Sequence, residues 1–459
     1  MIVSRDWAGK RYAVLGLARS GAATVSALLA GGATVVAWDS DPAKREALKP
    51  LPFRGGVGGG ALPQTASPEE PPHPNPSPEG EGLEFINLDT LDLSGFDALV
   101  VSPGVPLNTH PLAASARAVG VPVIGDIELF ARARHNLPPH KVVGITGTNG
   151  KSTTTALIHH ILKTAGVPTL MGGNIGLPIL GQAPLPEGGV YVLELSSYQI
   201  DLTQSLDCDV AVLLNITPDH LDRYDGFAGY AASKARLFAM QSAGHVAVVG
   251  TGDEASAHIA QGLAGRTDDL VTIAASGIDQ SRWPALQGPH NAQNAQAAIA
   301  VARALGIAED AIEAGLASYA SLPHRMQHVA TRNGVAFVND SKATNPESTA
   351  PALAAFPRVH WIVGGKRKGD DLDACAAHLD HVVAAYTIGE AAPLFYDLLK
   401  SKVPMVDQSG TLEAAVAHAA AAAQPGDTVL LSPACASFDQ FRDYEARGDA
   451  FRAAVEALA

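Results

Sequence analysis

The segment GITGTNGKST at 144–153 holds the clearest chemistry in the chain. It continues an apolar run, KVVGIT at 141–146, and leads into a stretch that reads as a helix from Lys151. Backbone N–H groups at a helix N-terminus, reinforced by the helix dipole, cradle phosphate oxygens. Gly147, Thr148, Asn149 and Gly150 form the turn, Lys151 reaches the β- and γ-phosphates, and Ser152, followed by Thr153, offers a hydroxyl to Mg²⁺. The general phosphate-loop pattern asks for glycine at 145, where Ile145 stands. Small residues at a helix start are the bland alternative, and Gly-Lys-Ser directly after a buried strand outweighs it.

Other candidates are individually weaker. Glu194 ends the apolar run VYVLEL, where ligands gather in parallel sheets, and its carboxylate suits either Mg²⁺ or a helix cap. His220 lies in TPDH, with Asp219 and Asp222 as turn-capping neighbours; a lone histidine is more often structural than catalytic. Asn291 and Asn294 share one helical face and can reach a base or ribose, or merely cap. Arg325, Asp340, Lys342 and Thr344 fall on loops beside strand ends, where cations and amides stabilise phosphate and transition-state charge. In GLARSG at 16–21, Ala18 stands where the dinucleotide fingerprint wants its middle glycine, while Asp39 closes the next strand as a ribose-binding acid would. That pattern alone suggests a nicotinamide dehydrogenase, poorly.

The elements that must position these residues fall into three blocks. Residues 11–38 read strand, turn, helix, strand, and DALVVS at 97–102 adds another apolar strand. The second block begins at 141 with VYVLEL and DVAVLLN following, and ends near the helix that starts around His290. The third opens near Leu322 and alternates VAFVND, a helix to Phe356, VHWIVGG, further helices, DTVLLS and a last helix. Apolar strands without polar alternation, separated by helices, predict parallel sheets buried on both faces, so each block is an α/β domain. Residues 54–82 differ: half are glycine or proline, which predicts a disordered insertion rather than a Pro-rich docking site.

Bulk properties exclude several classes. The chain has 459 residues, too many for one core, and a net charge of -14 with no stretch of five or six Lys or Arg. Nucleic acid and anionic membrane are therefore not expected as partners. Cys208, Cys375 and Cys435 are scattered and form no C-x-x-C pair, as expected in a reducing cytoplasm. Arg5, Asp6, Lys10 and Arg11 interrupt any signal-peptide core, and the Ala-rich stretch 414–423 is too short to span a bilayer. A cytoplasmic protein, expected as a monomer, results.

Taken together, TGTNGKST, GGNIG (172–176), LELSSYQ (193–199), LNITPDHLDRY (214–224), HNAQN (290–294), LPHR (322–325), NDSKATNP (339–346), GGKRKGDD (364–371) and SPACASFDQFRDYEARG (432–448) resemble the Mur ligase family in type and order. The last three, with SPG (102–104) and GDIELF (125–130), look like its D-glutamate-adding branch, and no DNPR segment marks the diamino-acid branch. The resemblance implies three domains: 1–129, Rossmann-like, holding the UDP of UDP-N-acetylmuramoyl-L-alanine; 130–321, P-loop-like, binding ATP; and 322–459, Rossmann-like, binding D-glutamate. It implies that Gly16, Leu17, Ala18, Asp39, Ser40, Ser102, Pro103, Gly104 and Asn174 line the substrate site. Asn291, Asn294, Arg325 and Asp340 then serve ATP, and Lys342, Thr344, Lys368, Ser437 and Tyr444 the amino acid and the closing charge. Two Mg²⁺ ions are implied, served by Ser152, Glu194, His220 and Lys234, the last in YAASKARLF (230–238) and modified to a carbamate by CO₂. Lys151, His220 and Lys234 carry the catalysis. A nucleotide-binding regulator and a sibling ligase for another amino acid remain the rivals.

Overall fold

The computed structural model describes residues 1–48, 82–219, 223–265, 269–367 and 369–458. The segment 54–82 expected to be a disordered insertion, apart from Gly82, and the expected site residues His220 and Lys368 lie outside them.

Three sheets carry the chain. The first comprises β1 (Arg11–Leu15), β2 (Thr34–Trp38), β3 (Leu83–Phe85), β4 (Ala98–Val101) and β5 (Val123–Ile124), in the order β3-β2-β1-β4-β5. Every pairing in it is parallel. The second holds β6 (His140–Thr146), β7 (Thr169–Gly173), β8 (Gly189–Glu194), β9 (Val210–Leu213), β10 (Val246–Gly250) and β11 (Leu270–Ile273), in the order β11-β10-β9-β6-β8-β7. The third holds β12 (Gln327–Arg332), β13 (Val335–Asn339), β14 (Val359–Gly364), β15 (Val382–Ile388), β16 (Val406–Gly410) and β17 (Thr428–Leu431), in the order β12-β13-β17-β14-β15-β16.

The unalternating strands are buried on both faces, as their apolar runs require. In the third sheet Trp361 and Val363 face one core with Leu353 and Leu372. Ile362, between them, faces the other with Phe451 and Val416. One strand departs from the parallel expectation: β12 pairs antiparallel with β13. The cause is local. Asn333 and Gly334 adopt φ of 50° and 78°, and two successive positive-φ residues make the tight turn that matches strand twist. The Ala-rich stretch is the helix Leu412–Ala422, and among the described residues no helix is long and apolar enough to cross a membrane.

The chain packs as two compact units. One takes Met1–Gly144, Leu170–Asp209 and Pro218–Ser242; the other takes Ile145–Thr169, Val210–Thr217 and Ala243–Ala459. Each unit brings its own set of the singled-out residues together.

Candidate active site

In the second unit the phosphate loop forms as its sequence suggests. Thr146 ends β6, and the helix Lys151–Thr164 begins directly after Gly150. Gly150 has φ 84°, and a Cβ there would lie 2.4 Å from Asn294 Oδ1, so both conformation and space demand glycine. The loop is fastened by a residue whose role the sequence reading did not name. Asn215, just past β9, accepts the Thr148 amide on its carbonyl (2.9 Å) and the Asn149 amide on Oδ1 (2.8 Å). Thr148 Oγ1 donates to Thr217 O at 3.1 Å and accepts the Thr217 amide at 3.0 Å. Lys151 Nζ arches back onto the Gly147 and Thr148 carbonyls at 2.9 and 2.8 Å. An asparagine immediately after an apolar strand was the available signal for Asn215.

Asn291 and Asn294 lie on the helix Pro289–Ala304 and are buried. Asn294 Oδ1 accepts from Thr154 Oγ1 (3.1 Å), its Nδ2 donates to Asn291 Oδ1 (3.1 Å), and Asn291 Nδ2 donates to Gln287 O (3.0 Å). Their side chains thus brace the phosphate-loop helix, and both also line the cleft that runs from Asn149 and Gly150 to Lys342. His290 shares this cleft; burial alone pushes its imidazole down to about 4, so it stays neutral.

Arg325 sits between His324 (φ 62°) and Met326 (φ 47°), two non-glycine residues in the left-handed region. Backbone of this kind persists where surrounding contacts hold it. Asn339 Nδ2 lies 3.1 Å from His324 Nδ1, and the Met326 amide donates to Asp340 Oδ1 at 3.1 Å. The kink delivers the Arg325 guanidinium to Ser152 Oγ at 2.8 Å. Asp340 accepts a second bond from Ser432 Oγ (2.9 Å), yet burial, opposed by these bonds and by Arg325, pushes its carboxyl up to about 7. Lys342 Nζ stands 4.1 Å over the Tyr444 ring. Arg447, unremarked in sequence, is buried and clamps the loops around them: it donates to Ser341 Oγ and O and to the Cys435 and Ala436 carbonyls. Ser437, also buried, follows directly, and Thr344 lies two residues beyond Lys342.

The first unit gathers the rest. Gly16 (φ 87°) closes β1; Leu17 N donates to Asp39 Oδ2 at 2.7 Å and Asp41 N to Asp39 Oδ1 at 2.9 Å. Burial would push the Asp39 carboxyl up, but those amides and Lys44 hold it below the usual carboxylate range. Ser102 Oγ donates to Gly16 O at 2.8 Å. A cavity of about 440 Å³ opens over the start of the helix Arg19–Ala30, lined by Gly16, Ala18, Asp39, Ser102, Pro103, Gly104 and Asn174 of the expected set. Leu17 is buried and Ser40 exposed; neither lines it. Arg19 and Lys44, which the sequence reading passed over, supply the cations there.

Asn174 also reaches the end of β8: its amide donates to Glu194 O and its Nδ2 to Glu194 Oε1, both at 2.8 Å. Glu194 Oε2 is buried with no hydrogen-bond partner. A carboxylate held by one oxygen and open at the other fits a hard divalent cation. Among the described residues no three His, Cys, Asp or Glu side chains cluster for a metal. Lys234, on the helix Gly226–Ala239, is buried with Nζ 4.6 Å from the Tyr230 ring centre.

With fold and site in view, comparison with known proteins is specific. The Mur ligase middle domain matches residues 145–283 and the Mur ligase glutamate ligase domain residues 324–435. The chain belongs to the Mur ligase family. Within it, the UDP-N-acetylmuramoylalanine–D-glutamate ligase of Novosphingobium aromaticivorans is 62% identical over 100% of this chain and 97% of its own. The enzyme of the same name from Sphingopyxis alaskensis is 59% identical over the whole of both chains. Solved structures share the fold at low identity. The UDP-N-acetylmuramate–alanine ligase of Thermotoga maritima has a TM-score of 0.55 at 16% identity over 98% of this chain and 99% of its own. A pseudomurein peptide ligase from Methanothermus fervidus has a TM-score of 0.55 at 19% identity over 98% and 100%.

Proposed function

We propose that the chain joins D-glutamate to UDP-N-acetylmuramoyl-L-alanine at the expense of ATP, giving UDP-N-acetylmuramoyl-L-alanyl-D-glutamate, ADP and phosphate. The observation that carries this reading is full-length identity of 62% to a ligase named for that reaction. The phosphate loop supports it, since a nicotinamide enzyme has no use for Lys151 and Ser152 on a helix N-terminus. ATP and a nucleotide-linked sugar are cytoplasmic substrates, and we place the enzyme there.

The chain divides into three domains, with boundaries at 129/130 and 321/322. Residues 1–129 hold UDP over the start of the helix Arg19–Ala30, with Arg19 and Lys44 facing the diphosphate. Residues 130–321 hold ATP: the loop 147–153 wraps the phosphates, and Lys151 swings from its own carbonyls to the γ-phosphate. Arg325, delivered by its kinked loop, meets the charge that develops there. Residues 322–459 take D-glutamate through Lys342, Thr344, Lys368, Ser437 and Tyr444, on loops that Arg447 clamps.

The L-alanine carboxylate attacks the γ-phosphorus, ADP leaves, and an acyl phosphate forms. The D-glutamate amine then adds to the acyl carbon, phosphate departs, and the amine proton passes to solvent. Carboxylate meeting triphosphate is anion meeting anion, so Mg²⁺ would supply charge neutralisation, with Ser152 as its ligand in one unit and Glu194, His220 and Lys234 as its ligands in the other. A lysine there suits a cation only after conversion: neutral Nζ adds to CO₂, a C–N bond forms, a proton leaves, and an anionic carbamate remains. Phosphate release measured with ATP, UDP-N-acetylmuramoyl-L-alanine and single amino acids tests the reading. Release with D-glutamate is expected; release only with another amino acid, or turnover of NADH instead, would overturn it.

A further inference from the structure

We infer that Tyr224, with Asp201 and Ser233, forms a positioning network that sets where the Lys234 side chain stands relative to Glu194. The inference rests on the carbamate reading of Lys234 and goes beyond it, to residues whose side chains have been given no role.

Three observations converge. First, the Tyr224 hydroxyl donates to Asp201 Oδ2 at 2.8 Å and lies 3.4 Å from Ser233 Oγ. Ser233 Oγ in turn donates to Ser197 O at 3.2 Å, and Ser233 directly precedes Lys234. Second, Ser197 and Asp201 are the two ends of one short helix that begins three residues after Glu194. The strand end bearing the open carboxylate is thereby tied at both ends of that helix to the segment bearing the lysine. Third, the rings continue the chain of contacts. Tyr224 stacks on Tyr198 (6.1 Å, 14°) and packs on Tyr230 (5.4 Å), whose face receives Lys234 Nζ.

Tyr224 is suited to the task. Burial pushes its phenol up, so it remains a hydrogen-bond donor at every working pH. Together with Tyr198 and Asp201 it also walls a cavity of about 490 Å³. Tyr198 and Tyr230 hold the ring, while the cavity leaves one side of it open, and the hydrogen bond to Asp201 fixes where its hydroxyl points. Lys234 sits in a helix, so a shift of Ser233 moves the lysine with it.

A carbamate is an equilibrium adduct of amine and CO₂, so its occupancy reports directly on how well the anion's surroundings are aligned. The test is carbon-13 NMR of the full chain equilibrated with ¹³C-bicarbonate, read as carbamate signal against dissolved CO₂, with thermal midpoint as control. Tyr224→Phe, which keeps the rings and removes the hydroxyl, should weaken apparent CO₂ binding by about 3- to 10-fold, the worth of one hydrogen bond. Asp201→Ala should match it, whereas Asp201→Asn, which still offers an acceptor oxygen, should restore most of the signal. Ser233→Ala gives an independent reading if Tyr224→Phe folds poorly. A normal carbamate signal that none of these variants changes would overturn the network. No carbamate in the unaltered protein, at any CO₂ level, would instead remove the reading beneath it, and the network with it.

Discussion

The turns at 16–21 and 147–152 are both a strand running into glycines and then a helix, yet they are built to opposite plans. The first spends a carboxylate on its own backbone: Asp39 takes the Leu17 and Asp41 amides, and the cations Arg19 and Lys44 stand at the cavity wall. The second spends a neutral amide, Asn215, on the Thr148 and Asn149 N–H groups, and carries its cation within the loop as Lys151. A site that only holds a diphosphate can be fixed once, with its charge at the periphery. One that transfers a phosphoryl group needs a cation able to follow charge as it moves.

Lys151→Ala should therefore have the largest effect on catalysis, lowering phosphate release roughly 10³-fold or more. Its thermal midpoint should fall by a few degrees at most, since the half-buried side chain gives up only its two hydrogen bonds to the Gly147 and Thr148 carbonyls. Measuring both on one preparation decides the matter; activity within tenfold of the parent would end the assignment of this loop to ATP.

The glycines sharpen the contrast in stability. A Cβ on Gly21 would lie 1.8 Å from Gly16 O, against backbone that cannot yield. Gly21→Ala should cost on the order of 3 kcal/mol in chemical denaturation. At Gly150 the obstacle is the Asn294 side chain together with a left-handed φ, so Gly150→Ala should cost less, about 1–2 kcal/mol, while removing most activity. The reverse order would mean that the second turn, not the first, is the rigid one.

This contrast was only half legible in sequence. The phosphate loop could be read because glycine, lysine and serine occupy fixed offsets after an apolar run. Asp39 could be placed at a strand end, but its service to Leu17 N depends on two strands lying side by side, which no local pattern encodes. Asn215 and Arg447 escaped for the same reason, since they act on residues 66 and 106 positions away, and Tyr224 because its partner Asp201, 23 positions back, lies on another element. The hairpin at Asn333–Gly334 is different: its signal, RNGV between apolar runs, was present, and reading the block as wholly parallel overrode it. Arg325 could be named but not aimed, because two positive-φ residues that are not glycine have no sequence signature.

Acid should separate the two regions. His290 is depressed from 6.5 to about 4, so the unfolded chain takes up that proton first. Its contribution is present above pH 6.5 and is lost as pH falls from 6.5 towards 4, roughly 2–3 kcal/mol over the window. Asp39 lies below its ordinary 3.8, so its contribution persists until pH falls through that value and below. His290→Gln should flatten the fall in thermal midpoint between pH 6.5 and 4, and Asp39→Asn should leave the slope in that window alone. Equal slopes in all three proteins would show that the imidazole is not what the acid reaches.

The smallest effect is expected at Lys44, and it bears most directly on whether the first turn merely holds. Lys44 Nζ is 3.4 Å from Asp39 Oδ2 and its side chain is 42% exposed, so the ion pair itself contributes at most about 1 kcal/mol. Removing the lysine leaves Asp39 its two amides, and the turn should survive. What is lost is a cation at the mouth of the cavity, where a diphosphate would lie along the start of the helix Arg19–Ala30. Lys44→Ala should then raise KM for UDP-N-acetylmuramoyl-L-alanine about 3- to 10-fold, with kcat and the KM values for ATP and D-glutamate little changed. That signature belongs to uniform binding, in which ground state and transition state lose the same contact. A fall in kcat to match would mean that the first turn also senses the reaction, and the division of labour between the two turns would fail.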